Sequence, residues 1–93
     1  MEKLLHGKVC IVTGAAQGIG KAIVERFAAD GGIVYAFDRQ TGVMEQWAKD
    51  CSERYDVRII PVCCDITDST GVKNVLMSIH KQEGKIDVLV NNA

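Results

Sequence analysis

The chain has 93 residues, 47% of them hydrophobic and 25% charged, with 11 Lys and Arg against 12 Asp and Glu for a net charge of −1. The length fits one small domain over residues 1–93 with no room for a second. The charge balance excludes a surface built to hold nucleic-acid backbones, no apolar run approaches the roughly 18 residues of a membrane span, and the polar Glu2, Lys3, His6 and Lys8 exclude a signal peptide.

The first apolar run is Val9-Cys10-Ile11-Val12, ending at Thr13-Gly14, the pattern of a strand buried on both faces. A helix is predicted from about Ile19 to Asp30. Its buried stripe is Ile19, Ile23 and Phe27 with Ala22, while Lys21, Glu25 and Arg26 face away. Gly31 and Gly32 stop it. Ile33 to Phe37 reads as a second strand, ending at Asp38. The next helix places Met44, Trp47, Ala48, Cys51 and Tyr55 on one stripe, so Trp47 reads as core rather than as a stacking platform. A third strand runs from about Arg58 to Cys64. It contains Pro61, which cannot donate a ladder hydrogen bond and therefore belongs at a sheet edge. Asp68 reads as the N-cap of a third helix. Val72, Val75, Leu76 and Ile79 form its buried face and Gly84 ends it. His80 reads as a solvated residue near its end, and Lys81, Glu83 and Lys85 as a wet surface. The last strand, Ile86 to Val90, leads into Asn91-Asn92-Ala93.

Strands alternating with helices imply a parallel sheet covered on both faces. Right-handed crossovers give an α/β, Rossmann-like doubly wound sheet of four strands in the order 3-2-1-4. The four cysteines, Cys10, Cys51, Cys63 and Cys64, lie in apolar runs without a Cys-x-x-Cys pair. They read as buried free thiols, and hence as a sign of a reducing, cytoplasmic location. Neither His6 nor His80 has a ligand-spaced cysteine, so no metal site is expected.

The segment Thr13-Gly14-Ala15-Ala16-Gln17-Gly18-Ile19-Gly20 carries the chemistry. A dinucleotide needs its pyrophosphate held by backbone N–H groups at a helix N-terminus. Gly14 suits the sharp turn out of the strand, Gly18 the close approach to phosphate, and Gly20 the close packing of helix on sheet. Gln17 and Ile19 complete the loop and bring no cation to it. The alternative is a turn with packing glycines. Asp38 follows eighteen residues after Gly20, where a carboxylate accepts from ribose hydroxyls and repels a 2′-phosphate. NAD is therefore favoured, while Arg39, a partner for that phosphate, leaves NADP open. Asp38 alternatively ends a strand before a turn. Cys64, Asp65 and Ile66 are placed around adenine, or Asp65 to Asp68 form a helix-capping turn. Asn92 is expected on the cofactor side, with a structural role for Asn91.

Together Thr13-Gly14-x-x-x-Gly18-Ile19-Gly20, Asp65, and Asp87-Val88-Leu89-Val90-Asn91-Asn92-Ala93 resemble the classical short-chain dehydrogenase/reductase family. The resemblance covers essentially the whole chain. It implies a Rossmann-like subunit, usually dimeric or tetrameric, that reduces carbonyls or oxidises alcohols with a nicotinamide cofactor. Lys85 to Ala93 looks particularly like the β-ketoacyl-acyl-carrier-protein reductase branch, although many branches share that run. The family's Asn-Asn-Ala normally continues with Gly, and its catalytic Ser and Tyr-x-x-x-Lys lie further downstream. Here Tyr35 is followed four residues on by Arg39 and Tyr55 by Ile59, and Ser52, Ser69 and Ser78 fall on or beside helices. The expectation is thus the cofactor-binding front half of an oxidoreductase, with no catalytic residues and no activity of its own. A free-standing nucleotide-binding or regulatory module is the alternative. An interaction fragment that binds no nucleotide is a third reading. The run Ile86 to Val90 is expected to form an apolar sheet edge that pairs antiparallel with its copy, giving a homodimer with an eight-stranded sheet; the alternative is helix-face packing that covers the apolar surface and leaves the fourth strands apart.

Overall fold

A computed structural model of the protein describes residues 3–92. Met1, Glu2 and Ala93, the last of the Asn-Asn-Ala element, lie outside these. The chain runs β1 (Val9–Thr13), α1 (Gly18–Ala29), β2 (Ile33–Asp38), α2 (Thr41–Tyr55), β3 (Ile59–Cys63), α3 (Ser69–Glu83) and β4 (Val88–Val90). All pairings are parallel and the order is β3-β2-β1-β4, as the crossovers require. Pro61, paired with Ala36, lies on the edge strand β3.

Alternating residues of the central strands feed two cores. Cys10, Val12, Val34 and Ala36 pack with Val24, Ala28, Met44 and Ala48 from α1 and α2. Val9, Ile11, Tyr35 and Phe37 pack against Ile79 and the half-buried Val72, Val75 and Leu76 of α3. Full burial of Ile11 or Phe37 contributes about 1.5–3 kcal/mol each, so β1 and β2 anchor the fold. Asp68 caps α3 by accepting from the Gly71 N–H at 3.1 Å, and Gly84 ends that helix in the left-handed region with φ 83°.

Four expectations need correction. In α1 the buried line is Gly20, Val24 and Ala28; Ile23 and Phe27 are half-buried at its flank, Ala22 is exposed and Ile19 is 73% exposed. The line of small residues lets α1 lie close to the sheet, which turns the large Ile19 outward. β4 begins at Val88 rather than Ile86. Before it, Asp87 joins Val9 through one backbone and one side-chain bond: its N–H donates to Val9 O at 2.9 Å and its carboxylate accepts the Val9 N–H at 2.8 Å. Cys63 is exposed at the end of β3, although all four thiols are free and the other three buried. Finally, Glu83 is not part of a wet surface. Its side chain is 9% exposed, takes both Arg58 guanidinium nitrogens at 3.2 and 2.9 Å, and accepts the Tyr35 hydroxyl. Glu83 ends α3 where that helix reaches across to β2 and the residue before β3.

Candidate functional site

The loop between β1 and α1 is built on left-handed glycines, Gly14 with φ 62° and Gly18 with φ 64°. It folds back so tightly that a Cβ on Gly20 would stand 1.9 Å from Gly14 O and 2.9 Å from the Asn92 amide nitrogen. Its inner side is closed. Ala15 and Ala16 are buried, with the Ala15 N–H on Phe37 O and the Ala16 N–H on Asp38 Oδ2, both at 3.1 Å. Its outer side is open. Gln17, Gly18 and Ile19 are exposed, and a Cβ on Gly18 would meet nothing within 4 Å. Gln17, the N-cap, supplies no side-chain cap, and the first turn of α1 carries no acidic residue. The first N–H groups of this 12-residue helix thus have no side-chain cap and no acidic residue in their own turn, and the helix dipole adds positive potential there. This arrangement fits a phosphate group.

Beside the loop, the ends of β2 and β3 form a small pocket of about 90 Å³ lined by Gly14, Phe37, Asp38, Arg39, Cys64 and Ile66. Asp38 carries a second bond, from the Gln40 N–H to Oδ1 at 3.0 Å, so both its oxygens order backbone. Arg39 is exposed. The Cys64 N–H donates to Asp38 O at 3.1 Å and ties the two strand ends together. Burial, and then the charges of Asp65 and Asp68, push the Cys64 thiol up, so it stays protonated at neutral pH. A second cavity of about 190 Å³ shares Phe37 and Ile66 and continues along the α3 face to Leu76 and Leu89.

The end of β4 closes the far side. The Thr13 hydroxyl lies 3.2 Å from Asn91 Oδ1 and accepts the Asn92 N–H at 2.9 Å; the Asn92 side-chain amide donates to Gly14 O at 3.4 Å. Both asparagines therefore fasten β4 to the start of the loop.

Of the residues predicted from sequence, Gly14, Asp38, Arg39, Cys64 and Ile66 line one pocket. Gln17, Gly18, Ile19 and Gly20 form the adjoining loop and first turn, and Asn92 joins Gly14. Asp65 stands apart. Its Oδ1 accepts the Thr67 hydroxyl at 2.7 Å and N–H at 2.9 Å, which hold its carboxyl below the usual range, and its backbone oxygen accepts the Asp68 N–H in the turn into α3. Sequence reasoning missed Phe37, which floors both cavities, and Trp47, whose indole N–H donates to Ala16 O at 3.2 Å. Phe37 had a signal, since it immediately precedes Asp38; Trp47 had none.

A larger cavity of about 510 Å³ lies at the amino ends of the strands, among Lys3, His6, Tyr55 and Arg58, and holds none of these loop residues. Among the described residues no group of His, Cys, Asp and Glu could hold a metal ion, and no helix is long and apolar enough to cross a membrane.

The short chain dehydrogenase family description matches residues 8–93. A 3-oxoacyl-(acyl-carrier-protein) reductase of Thermotoga maritima is 40% identical over 89 residues, covering 96% of this chain and 36% of that protein. The crystal structure of L-sorbose reductase from Gluconobacter frateurii, complexed with NADPH and L-sorbose, superposes with a TM-score of 0.89 at 36% identity, over 100% of this chain and 35% of that one. NAD+-bound xylitol dehydrogenase gives a TM-score of 0.89 at 35% identity, over 98% of this chain and 35% of that one. The chain thus spans about a third of the length of the relatives it matches.

Proposed function

This chain belongs to the short chain dehydrogenase family, and from that premise we propose that it is the NAD-binding part of an oxidoreductase that interconverts carbonyls and alcohols. The carrying observation is the contact of Gly20 with Gly14, which seats an uncapped helix N-terminus directly against the end of β1. In this reading the pyrophosphate lies on the N–H groups of Gln17, Gly18, Ile19 and Gly20. The adenosine end enters the pocket of Gly14, Asp38, Arg39, Cys64 and Ile66, with Asn92 on the ribose side. The nicotinamide supplies the hydride chemistry when bound.

Asp38 supports NAD over NADP, because a carboxylate at this pocket repels a 2′-phosphate. Arg39 in the same pocket is the feature that favours NADP. Neither Tyr35 nor Tyr55 is followed four residues on by Lys, and Tyr35 is engaged by Glu83 away from the site. The chain by itself therefore binds cofactor without transferring hydride. A reducing cytoplasm fits its four free thiols. Pairing of β4 with its copy, favoured by the 56% exposure of Leu89, makes it a homodimer.

Fluorescence titration with NADH and NADPH tests the assignment. The expected result is saturable binding of both with NADH the tighter. Tighter NADPH overturns the selectivity, and binding of neither overturns the cofactor reading.

A further inference from the structure

Trp47 lies in α2, and packing of its ring against the α1–α2 core accounts for its half-burial. Packing does not account for the aim of its N–H, which donates to Ala16 O at 3.2 Å, across 31 residues of sequence. The N–H groups of Ala15 and Ala16 are taken by Phe37 and Asp38 of β2. This stretch of the loop is therefore held from β2 through its amides and from α2 through its carbonyl.

Every peptide bond among the described residues is trans, and in a trans peptide the N–H points opposite to the C=O. Turning the Ala16 carbonyl toward α2 thus aims the Gln17 N–H away from it. If that peptide rotates, a partially negative oxygen takes the place of a donor in a loop whose use is to hold an anion. Lys21, in the first turn of α1, lies 5.7 Å from the Trp47 ring centroid and adds a second link between α2 and the helix N-terminus.

We propose that Trp47 is a positioning residue of the phosphate loop, keeping the Ala16 carbonyl inward so that the loop presents N–H groups to the pyrophosphate. This rests on the cofactor assignment above. It makes α2, which supplies none of the pocket-lining residues, a determinant of cofactor affinity.

Trp47 is the only tryptophan, so the chain has a single indole N–H signal in its ¹⁵N NMR spectrum. On titration with NADH that signal is expected to shift together with the amides of residues 14–20. Trp47→Phe keeps a ring in the core but no donor. It is expected to bind NADH about five-fold more weakly, the effect of one neutral hydrogen bond, while binding adenosine as the parent does. An indole signal that stays in place at saturating NADH overturns the proposal, and this holds even if the variant fails to fold. Unchanged NADH affinity in Trp47→Phe, or an equal loss for adenosine, overturns it while leaving the cofactor assignment intact. A parent chain that binds no NADH overturns both.

Discussion

Gly14 and Gly20 touch through backbone alone: a Cβ on Gly20 would stand 1.9 Å from the Gly14 carbonyl oxygen and 2.7 Å from its carbon. Neither atom can swing aside as a side chain would. Gly20→Ala must therefore push α1 off the end of β1, at about 1–3 kcal/mol for an overpacked contact. Gly18 has open space but a φ of 64°, so Gly18→Ala costs about 1–2 kcal/mol in backbone strain alone. Urea unfolding is expected to rank Gly20→Ala as the more damaging, with cofactor binding lost with it. The reverse order contradicts the geometry.

Glu83 gives the fold a pH dependence on both sides. Arg58 first, then the Tyr35 hydroxyl, hold the Glu83 carboxyl below its ordinary value of 4.5. That contribution to stability is complete above this value and is lost as pH falls through the lower, folded one. Tyr35 is raised above its ordinary value of 10.0, by burial first and then by Glu83. Its contribution is complete below 10.0 and is lost as pH rises through the higher, folded value. Glu83→Gln is expected to lower stability at neutral pH by about 1–2 kcal/mol, to flatten the acid limb of the urea midpoint against pH and to reduce the alkaline limb, where the burial of Tyr35 persists. A variant with an unchanged pH profile contradicts this account.

The thiols are expected to separate cleanly in alkylation. Burial, then the charge of Asp87, push the Cys10 thiol up to about 11, and burial raises Cys51 and Cys64 as well. Cys63 alone is exposed. Brief iodoacetamide treatment of the native chain at neutral pH should add one label, at Cys63, by peptide mass mapping. Early labelling of Cys10 contradicts the packing of β1.

Leu89, in the middle of β4, is 56% exposed on a strand whose other edge is unpaired among the described residues. Leu89→Lys places a charge on the apolar strip and is expected to shift a sedimenting dimer to monomer at micromolar concentration. A parent chain that sediments as a monomer removes the dimer altogether.

The strand order, the helix caps at Asp68 and Gly84, and the glycine loop were legible because each rests on neighbours in sequence or on a periodic run. The buried stripe of α1 was not. Its rotation follows from the contact of Gly20 with Gly14 and from the small Ala28, while periodicity weights the larger Ile19. Glu83 looked solvated because its neighbours Lys81 and Lys85 are charged, whereas its partners Arg58 and Tyr35 stand 25 and 48 residues away. At the site, the pocket residues Asp38 and Cys64 were found by their place at strand ends. The engagement of Asp38 with the Ala16 amide, and of Asp65 with Thr67, depends on side-chain direction, which spacing does not carry.

The central claim is that the loop from Gly14 to Gly20 holds a nicotinamide dinucleotide. A thermal melt of the chain with and without NADH tests it most directly. A ligand that binds only the folded state at ten times its dissociation constant stabilises by about 1.4 kcal/mol, which raises the melting temperature of a domain this size by about 5–10 °C. The account predicts such a rise with NADH, a smaller one with NADPH and none with Gly20→Ala. A melting temperature unmoved by millimolar NADH would contradict it.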